Sequence, residues 1–222
     1  MASIFELMEG AKIFQTKYFK DHKVIFEELA EKGQNPQALF IGCSDSRVMP
    51  DVMIDTKPGD LFVVRNVGNF VPIYKPSEDF HGTAAGIEYA VNVLKVKDII
   101  VCGHSHCGAC ESLYKPKSKN TPHVNKWLEL GEKAKKAVKF LAKDTTSQEE
   151  IYRLTERVSI IFQLDNLLSY PYIKQKVANK ELFIHGWYFK IETGEIDYYD
   201  LDEEIFKPLA TYQNKKEKDK NS

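Results

Sequence analysis

The chain has 222 residues and a formal net charge of -1 at pH 7, with 28% charged and 43% hydrophobic residues. That length and composition suit one globular domain with a sizeable core. The balanced charge argues against nucleic acid as a partner, and no apolar run approaches the ~20 residues that a membrane span needs. The first residues lack the basic region and apolar core of a signal peptide, so we predict a cytoplasmic protein.

The first third of the chain predicts an arm and two strands. Apolar residues recur at near-helical spacing between Ile4 and Lys32, which indicates two charged, amphipathic helices. The run ALFIG (38–42) is bounded by turn signals and predicts a buried strand. The run DLFVVRN (60–66) follows the turn KPGD and predicts a second strand.

The middle of the chain alternates between helix and strand. Thr83 is a candidate N-cap of a helix that runs to about Lys95. DIIVCG (98–103) predicts a third buried strand, and a helical block follows from about Asn120 to Lys143. The alternation of strands and helices is typical of a mostly parallel sheet.

The last third begins with helices and continues with strands. Ser147 and Glu150 have the spacing of a capping box, which predicts the start of a long helix. LSYPYIKQKV predicts a further short helix, and ELFIHGWYFKIETGEIDYYD predicts two strands joined by a turn at Thr193-Gly194.

These elements predict an α/β fold. We expect a mostly parallel central β-sheet flanked by helices, with an N-terminal helical arm and a C-terminal helical segment. Residues 1–212 are predicted to form a single domain, of which 1–32 are the arm. The polar residues 213–222 are predicted to be a disordered tail.

Sulfur-containing and polar residues follow two of the predicted buried strands. The first strand leads into CSDSR (43–47), and the third leads into HSHC (104–107). Because parallel strands place their carboxyl ends at one edge of a sheet, we expect Cys43, His104 and Cys107 to converge. The spacing of His104 and Cys107 fits the first turn of a helix. Two thiolates and one imidazole suit one zinc ion, with a fourth position for water.

A carboxylate and a guanidinium lie next to the first candidate ligand. Asp45 is close enough to Cys43 to compete for the fourth position on the metal. Alternatively, Asp45 accepts a hydrogen bond from the water or hydroxide on zinc, while a charge-assisted pair with Arg47 holds the carboxylate. That pair also favours the ionised form of Asp45. The sequence leaves open which of the two roles Asp45 has.

The same motifs resemble those of a known family. CSDSR followed by GHSHCG is similar to the signature of the β-class carbonic anhydrases, in their plant-like and bacterial branch. The likeness extends over most of the chain, through PGDLFVVRNVGNFVP, GIEYAVNVLKVKDIIVCGH and HGWYFKIETGEI. It implies one zinc ion on Cys43, His104 and Cys107 and a catalytic dyad of Asp45 and Arg47. It also implies reversible hydration of carbon dioxide to bicarbonate and a proton, by attack of zinc-bound hydroxide that the dyad orients.

The resemblance further implies a substrate pocket and an assembly. By their positions in the family segments, Gln34 is a polar contact to substrate or product, and Phe62, Val67 and Tyr89 line an apolar slot. The backbone amide of Gly103 is a further candidate donor in that pocket. In this family the N-terminal helices reach onto a second subunit, which implies a homodimer or a higher even homo-oligomer.

Other interpretations stay open. Cys43 by itself is typical of a buried core cysteine, and Cys107 and Cys110 have the spacing of a thiol redox pair. A site closed by four protein ligands would be a structural zinc module rather than a catalytic one. Within the family, hydrolysis of carbonyl sulfide or carbon disulfide is an alternative reaction. We assign no role to Cys102, Cys110 or His106.

Overall fold

The computed structural model describes residues 2–76 and 81–212, so the predicted tail 213–222 lies outside the described residues. The strands of this part of the chain are β1 (Ala38–Cys43), β2 (Leu61–Asn66), β3 (Asp98–His104), β4 (Phe183–Phe189), β5 (Ile196–Asp200) and β6 (Ile205–Pro208). They form one sheet in the order β2-β1-β3-β4-β5-β6.

The sheet is mostly parallel, as predicted. β1 pairs in parallel with β2 and β3, and β3 pairs in parallel with β4. β5 and β6 extend the sheet in antiparallel register. The sequence did not predict β6, because its four residues are flanked by acidic turn residues and give no alternating pattern long enough to recognise.

Helices cover the sheet and form the arm. They are α1 (Ile4–Thr16), α2 (Tyr18–Asp21), α3 (Lys23–Lys32), α4 (Pro50–Met53), α5 (Gly82–Glu88), α6 (Gly108–Ser112), α7 (Pro122–Trp127), α8 (Glu132–Leu141), α9 (Gln148–Leu167) and α10 (Pro171–Ala178). A π-helical turn (Tyr89–Val93) follows α5, a 3₁₀ turn (Leu128–Gly131) joins α7 to α8, and another 3₁₀ turn (Leu209–Thr211) follows β6. α9 and α10 form the helical segment of the C-terminal third, and three strands come after it.

Two helix predictions need correction. The arm contains three helices rather than two, because the backbone leaves helical geometry at Lys17 and again at His22. The helix expected to start after a Thr83 cap begins at Gly82, so Thr83 lies inside its first turn. The Thr83 hydroxyl instead lies 3.4 Å from the side-chain amide of Asn66, at the carboxyl end of β2. By contrast, the capping box of Ser147 and Glu150 is present at the start of α9.

Close packing of α9 on the sheet fixes the carboxyl end of β3. The side chain of Ile160 in α9 is fully buried, and it packs where a Cβ on Gly103 or Gly186 would lie only 2.8 Å from it. Glycine at these two positions therefore lets the helix backbone approach the strands. Full burial of an isoleucine such as Ile160 contributes about 1.5–3 kcal/mol, which holds the helix against this part of the sheet.

The arm makes little contact with the rest of its own chain. No residue of α1 is buried, and Phe5 and Met8 are 77% and 58% exposed. The ring of Phe14 in α1 contacts those of Tyr18 and Phe26, but these contacts stay within the arm. A helix without a buried face gains little stabilisation from packing within the chain. None of the helices in the described residues is long and apolar enough to cross a membrane.

Candidate metal centre

The carboxyl ends of two adjacent parallel strands bring the candidate ligands together. Gly42 of β1 lies opposite Cys102 of β3, so Cys43 and His104 end their strands at the same edge of the sheet. Cys107 follows β3 by three residues. One ligand atom from each of Cys43, His104 and Cys107 lies within 4.8 Å of the others. The predicted convergence of these three side chains is therefore present.

Cys107 reaches the group by a route that differs from the prediction. His104 and Cys107 do not share the first turn of a helix, because His104 is the last residue of β3. A turn follows, in which His106 adopts φ +55°, and Cys107 has extended geometry just before α6. The chain has to reverse direction at the end of a parallel strand, and this turn brings the sulfur of Cys107 back over the end of β3.

His104 presents a buried nitrogen to the two sulfurs. Its Nδ1 lies 2.8 Å from the carbonyl oxygen of Ser105, which can only accept, so Nδ1 carries the hydrogen and donates it. Nε2 then has a free lone pair, and it is buried without any hydrogen-bond partner. A buried polar atom without a partner is costly unless a ligand binds it, and a metal ion would do so.

The thiols also fit a metal ion. The neighbouring sulfur of Cys107 and burial raise the pKa of Cys43 to about 12. The adjacent thiol of Cys110 is the largest factor that raises the pKa of Cys107. A dication between the sulfurs would favour the thiolates, and two thiolates with one imidazole are a donor set that zinc prefers. The residues present therefore fit one zinc ion, with one coordination position left over.

Arg47 holds the carboxylate of Asp45 beside this group. The guanidinium donates from Nε to Oδ1 at 2.9 Å and from Nη2 to Oδ2 at 2.8 Å. These bonds hold the pKa of Asp45 well below its usual range, so the carboxylate is ionised. Oδ2 of Asp45 lies 4.0 Å from the free Nε2 of His104. The carboxylate thus lies next to the group while both of its oxygens bind arginine.

A second arginine, which the sequence did not single out, fixes the backbone of the same stretch. Arg65 of β2 donates from Nε to the carbonyl oxygen of Cys43 at 3.0 Å and from Nη2 to that of Asp45 at 2.8 Å. An arginine in an otherwise apolar strand was the signal available, and only the pairing of β1 with β2 identifies what it binds. Arg65 therefore contributes to positioning both residues.

A cleft of about 740 Å³ lies beside the metal group. Val67 lines it and is 43% exposed, while the indole nitrogen of Trp127 donates to the carbonyl oxygen of Val67 at 2.7 Å. The next residue, Gly68, donates its backbone N–H to the sulfur of Cys43 at 3.4 Å. The loop that carries Val67 is therefore anchored at the group. The cleft is lined by Ser44, Val64, Arg65, Asn66, Val67, His81, Gly82, Thr83 and Trp127.

Three predicted pocket residues lie far from the metal group of their own chain. Phe62 is opposite Leu39 in β1, four residues before Cys43, which corresponds to about 13 Å along the strand. The ring of Tyr89 lies against that of Phe62, with centroids 5.8 Å apart. Gln34 is exposed in the loop before the amino end of β1. The fold of one chain therefore does not bring these three side chains to the metal group.

Gly103 lies inside the sheet and packs against a helix. It is buried in β3, opposite Tyr188 of β4, and its α-carbon faces Ile160 of α9. The role as an amide donor to substrate stays a prediction. The packing assigns Gly103 a structural role, because the absence of a side chain allows α9 to approach the strand.

The sequence also gave no indication of Glu156, a buried acid beneath the group. Glu156 lies in α9 and is 2% exposed, and burial raises the pKa of its carboxyl to about 7. It accepts a hydrogen bond from the backbone N–H of Cys107 at 2.8 Å. No local pattern marks Glu156, because the buried face of α9 that holds it also carries Ser159 and Gln163. Its partner lies 49 residues earlier in the chain.

The sequence is similar to a large set of related proteins. A family model described as carbonic anhydrase matches residues 38–196. The carbonic anhydrase of Helicobacter pylori is 38% identical over 208 residues, which cover 92% of this chain and 94% of that protein. The carbonic anhydrase of Synechocystis sp. is 41% identical over 199 residues, which cover 87% of this chain and 70% of that protein.

Solved structures share the fold over most of the chain. The β-carbonic anhydrase CcaA superposes with a TM-score of 0.87 at 38% identity, over 95% of this chain and 92% of that chain. A tetrameric β-carbonic anhydrase from the filamentous ascomycete Sordaria macrospora superposes with a TM-score of 0.76 at 30% identity, over 86% of this chain and 94% of that chain.

Proposed function

The chain belongs to the β class of the carbonic anhydrase family and is a zinc-dependent carbonate dehydratase, and on that premise we propose which residues perform the reaction. Cys43, His104 and Cys107 hold one zinc ion per chain. The observation that supports this assignment is the convergence of their ligand atoms within 4.8 Å, with the free Nε2 of His104 among them. Zinc, when bound, lowers the pKa of a water molecule and so supplies a nucleophile near neutral pH.

Asp45 orients the water that attacks carbon dioxide. Its carboxylate is ionised and bound to Arg47 through both oxygens, and an ionised carboxylate only accepts hydrogen bonds. It therefore accepts a hydrogen bond from that water and directs the remaining lone pair toward the carbon. Arg47 in turn donates to the carbonyl oxygen of His106 at 3.0 Å, which ties the pair to the turn before Cys107.

Asp45 as a fourth ligand in a closed state stays a prediction. Such a state requires both bonds from Arg47 to break, at 2.9 Å and 2.8 Å. Charge-assisted, bidentate pairs are among the stronger hydrogen-bonding arrangements in proteins. We propose the state with Asp45 on Arg47 as the one in which carbon dioxide reacts.

The substrate pocket is completed by a second copy of the chain. Val67 lines the cleft beside the metal group, whereas Gln34, Phe62 and Tyr89 are too far away to act on the group of their own chain. β2, which contains Phe62, is at the edge of the sheet that the described residues form. Its edge and the exposed apolar arm favour a homodimer or a higher even oligomer. In that assembly Gln34 contacts bicarbonate and the two aromatic rings exclude water from carbon dioxide.

The proposal is tested on the purified wild-type protein. We expect one zinc ion per chain by elemental analysis, and carbon dioxide hydration in stopped-flow assays that rises into the alkaline range. Removing zinc with a chelator should abolish activity, and adding zinc back should restore it. A protein without zinc, or one whose activity survives full removal of zinc, contradicts the proposal.

The alternatives predicted from the sequence are addressed by the same preparation. Assays with carbonyl sulfide and carbon disulfide test the alternative reaction, and faster turnover of either than of carbon dioxide would favour it. All four described cysteines are free thiols. A redox role for Cys107 and Cys110 and a cytoplasmic location stay predictions.

A further inference from the structure

A buried carboxylate lies directly beneath the metal group and takes no part in the reaction proposed above. Glu156 of α9 has three partners within the protein. Oε1 accepts from the backbone N–H of Cys107 at 2.8 Å, and Oε2 accepts from the hydroxyl of Tyr188 at 2.8 Å. Nη2 of Arg153 lies 3.1 Å from Oε1. Three donors hold this buried carboxylate in one position, and one of those donors belongs to a candidate zinc ligand.

The backbone of Cys107 depends on this acceptor. Cys107 is 2% exposed, so its N–H has no access to water. It lies between the turn at His106, with φ +55°, and the first residue of α6, where regular structure supplies no partner. A buried N–H without an acceptor costs about 1–3 kcal/mol, so the turn keeps this geometry because Glu156 accepts the bond.

The position of Glu156 is itself fixed by the sheet. Ile160, one helical turn further along α9, packs so closely on Gly103 of β3 that a Cβ at this glycine would lie only 2.8 Å from it, and Gly103 immediately precedes His104. The carboxylate therefore links the backbone of Cys107, through α9, to the same strand that ends in His104. α9 thus fixes the distance between His104 and Cys107, which the turn between them would not fix by itself.

We infer that Glu156 is a positioning residue for the metal site, which holds the backbone of Cys107 so that its sulfur meets Cys43 and His104. The inference rests on the proposed function, because it requires Cys107 to be a zinc ligand. Groups that hydrogen-bond to metal ligands commonly contribute a factor of about 10–100 to metal affinity, because they fix the orientation of the ligands.

Three variants separate positioning from general stability. Glu156→Ala removes the acceptor, whereas Glu156→Gln keeps an oxygen that can accept from Cys107. Tyr188→Phe is the matched control, because it removes another contact of the same carboxylate without touching Cys107. Each holoenzyme is compared by its zinc dissociation constant against a competing chelator, by its melting temperature, and by the absorption bands of its cobalt-substituted form, which report the ligand geometry.

We expect Glu156→Ala to weaken zinc binding by about tenfold or more and to shift the cobalt bands. Glu156→Gln should stay within about threefold of wild type, and Tyr188→Phe should lower the melting temperature without moving the bands. If Glu156→Ala does not fold, Glu156→Asp replaces it, because the shorter side chain withdraws the acceptor from Cys107.

Wild-type zinc affinity and wild-type cobalt bands in Glu156→Ala, or in Glu156→Asp where that variant is used, overturn the inference. Equal losses of affinity in Glu156→Ala and Tyr188→Phe also overturn it, because the carboxylate would then act through stability alone. A wild-type protein that binds no zinc contradicts the proposed function instead, so the two failures are distinguishable.

Discussion

Arg47 binds both carboxylate oxygens of Asp45, with Nε 2.9 Å from Oδ1 and Nη2 2.8 Å from Oδ2. The two residues are separated by one residue in sequence, so the pair forms within a single turn after β1. Arg65 holds the backbone of that turn from the neighbouring strand. The carboxylate therefore has a fixed position next to the metal group before any substrate arrives.

The first prediction concerns the charge on Asp45. Asp45→Asn keeps the shape of the side chain but removes the ionised acceptor, so turnover should fall by about tenfold or more while zinc stays bound. Stopped-flow hydration and zinc content are the measurements. Asp51→Asn is the control, because Asp51 lies in the same stretch but its carboxylate binds Thr56. Loss of zinc from Asp45→Asn would mean that Asp45 is chiefly a ligand.

The second prediction separates two buried cysteines on adjacent strands. Cys43→Ala removes a candidate ligand and should abolish both zinc binding and activity. Cys102→Ala changes a residue of β3 that is 1% exposed and packs with the separate apolar cluster around Phe40. It should retain zinc and lose only stability, by about 1 kcal/mol. Elemental analysis measures the zinc content of both variants, and a zinc-loaded Cys43→Ala protein would refute the ligand assignment.

A third prediction concerns the source of the pocket residues. One protein carries Cys43→Ala, and the other carries Phe62→Ala with Tyr89→Ala. If one chain supplies the metal and its partner supplies the rings, a mixed dimer has one intact site out of two. That site combines the metal ligands of the ring variant with the rings of the Cys43→Ala chain. Mixed dimers purified through two different tags should recover about half of wild-type activity, far above either parent. Activity no higher than the mean of the parents would place the rings and the metal in one chain.

The fourth prediction tests the arm. Phe5 and Met8 are exposed on α1, and charges at these positions could not be buried in an interface. Phe5→Glu with Met8→Glu should lower the molar mass measured by light scattering toward that of a single chain. Phe140→Glu is the matched control, because Phe140 is 90% exposed outside the arm, and its mass should not change. An unchanged mass in the double variant would exclude the arm from assembly.

The fifth prediction concerns acid stability away from the metal. Nε2 of His185 lies 2.8 Å from Oδ1 of Asp98, across β3 and β4, and this hydrogen bond lowers the pKa of Asp98 below its usual value. Because the folded pKa lies below the unfolded one, the contribution to stability is present above about pH 4 and is lost as pH falls through the folded pKa.

Denaturant unfolding of the wild type and Asp98→Asn, at equal protein concentration, measures this contribution. The difference in unfolding free energy should be about 1 kcal/mol above about pH 4 and should shrink toward zero as pH falls through the folded pKa of Asp98. His185→Asn should remove the same pH-dependent component. A difference that stays constant from pH 7 to pH 3 would assign the effect to packing rather than to charge.

Much of the fold follows from local sequence patterns. The buried strands β1 and β3 are continuous apolar runs between turn signals, and the start of α9 is a capping box whose two hydrogen bonds are both formed. The segment that the sequence did not predict, β6, has a weak local pattern. β6 is short and flanked by acidic residues, and it exists because β5 offers an edge with which to pair.

The chemistry of the centre follows from residue types and their order along the chain. Cys43, His104 and Cys107 are the residue types that zinc requires, and their places after two buried strands predicted that they would meet. The short separation of Asp45 and Arg47 in sequence also predicted their pair, because two residues on one turn need no long-range packing to interact.

The distant groups that hold that centre in place follow from the packing of remote segments. Arg65 and Glu156 reach it from β2 and α9, and nothing in their own segments identifies the backbone groups that they bind. The structure also separated Phe62 from the metal group of its own chain, because strand register sets that distance. Local patterns indicate which residues are buried and which can bind a metal or take part in catalysis, whereas contacts between remote segments depend on how the strands and helices pack.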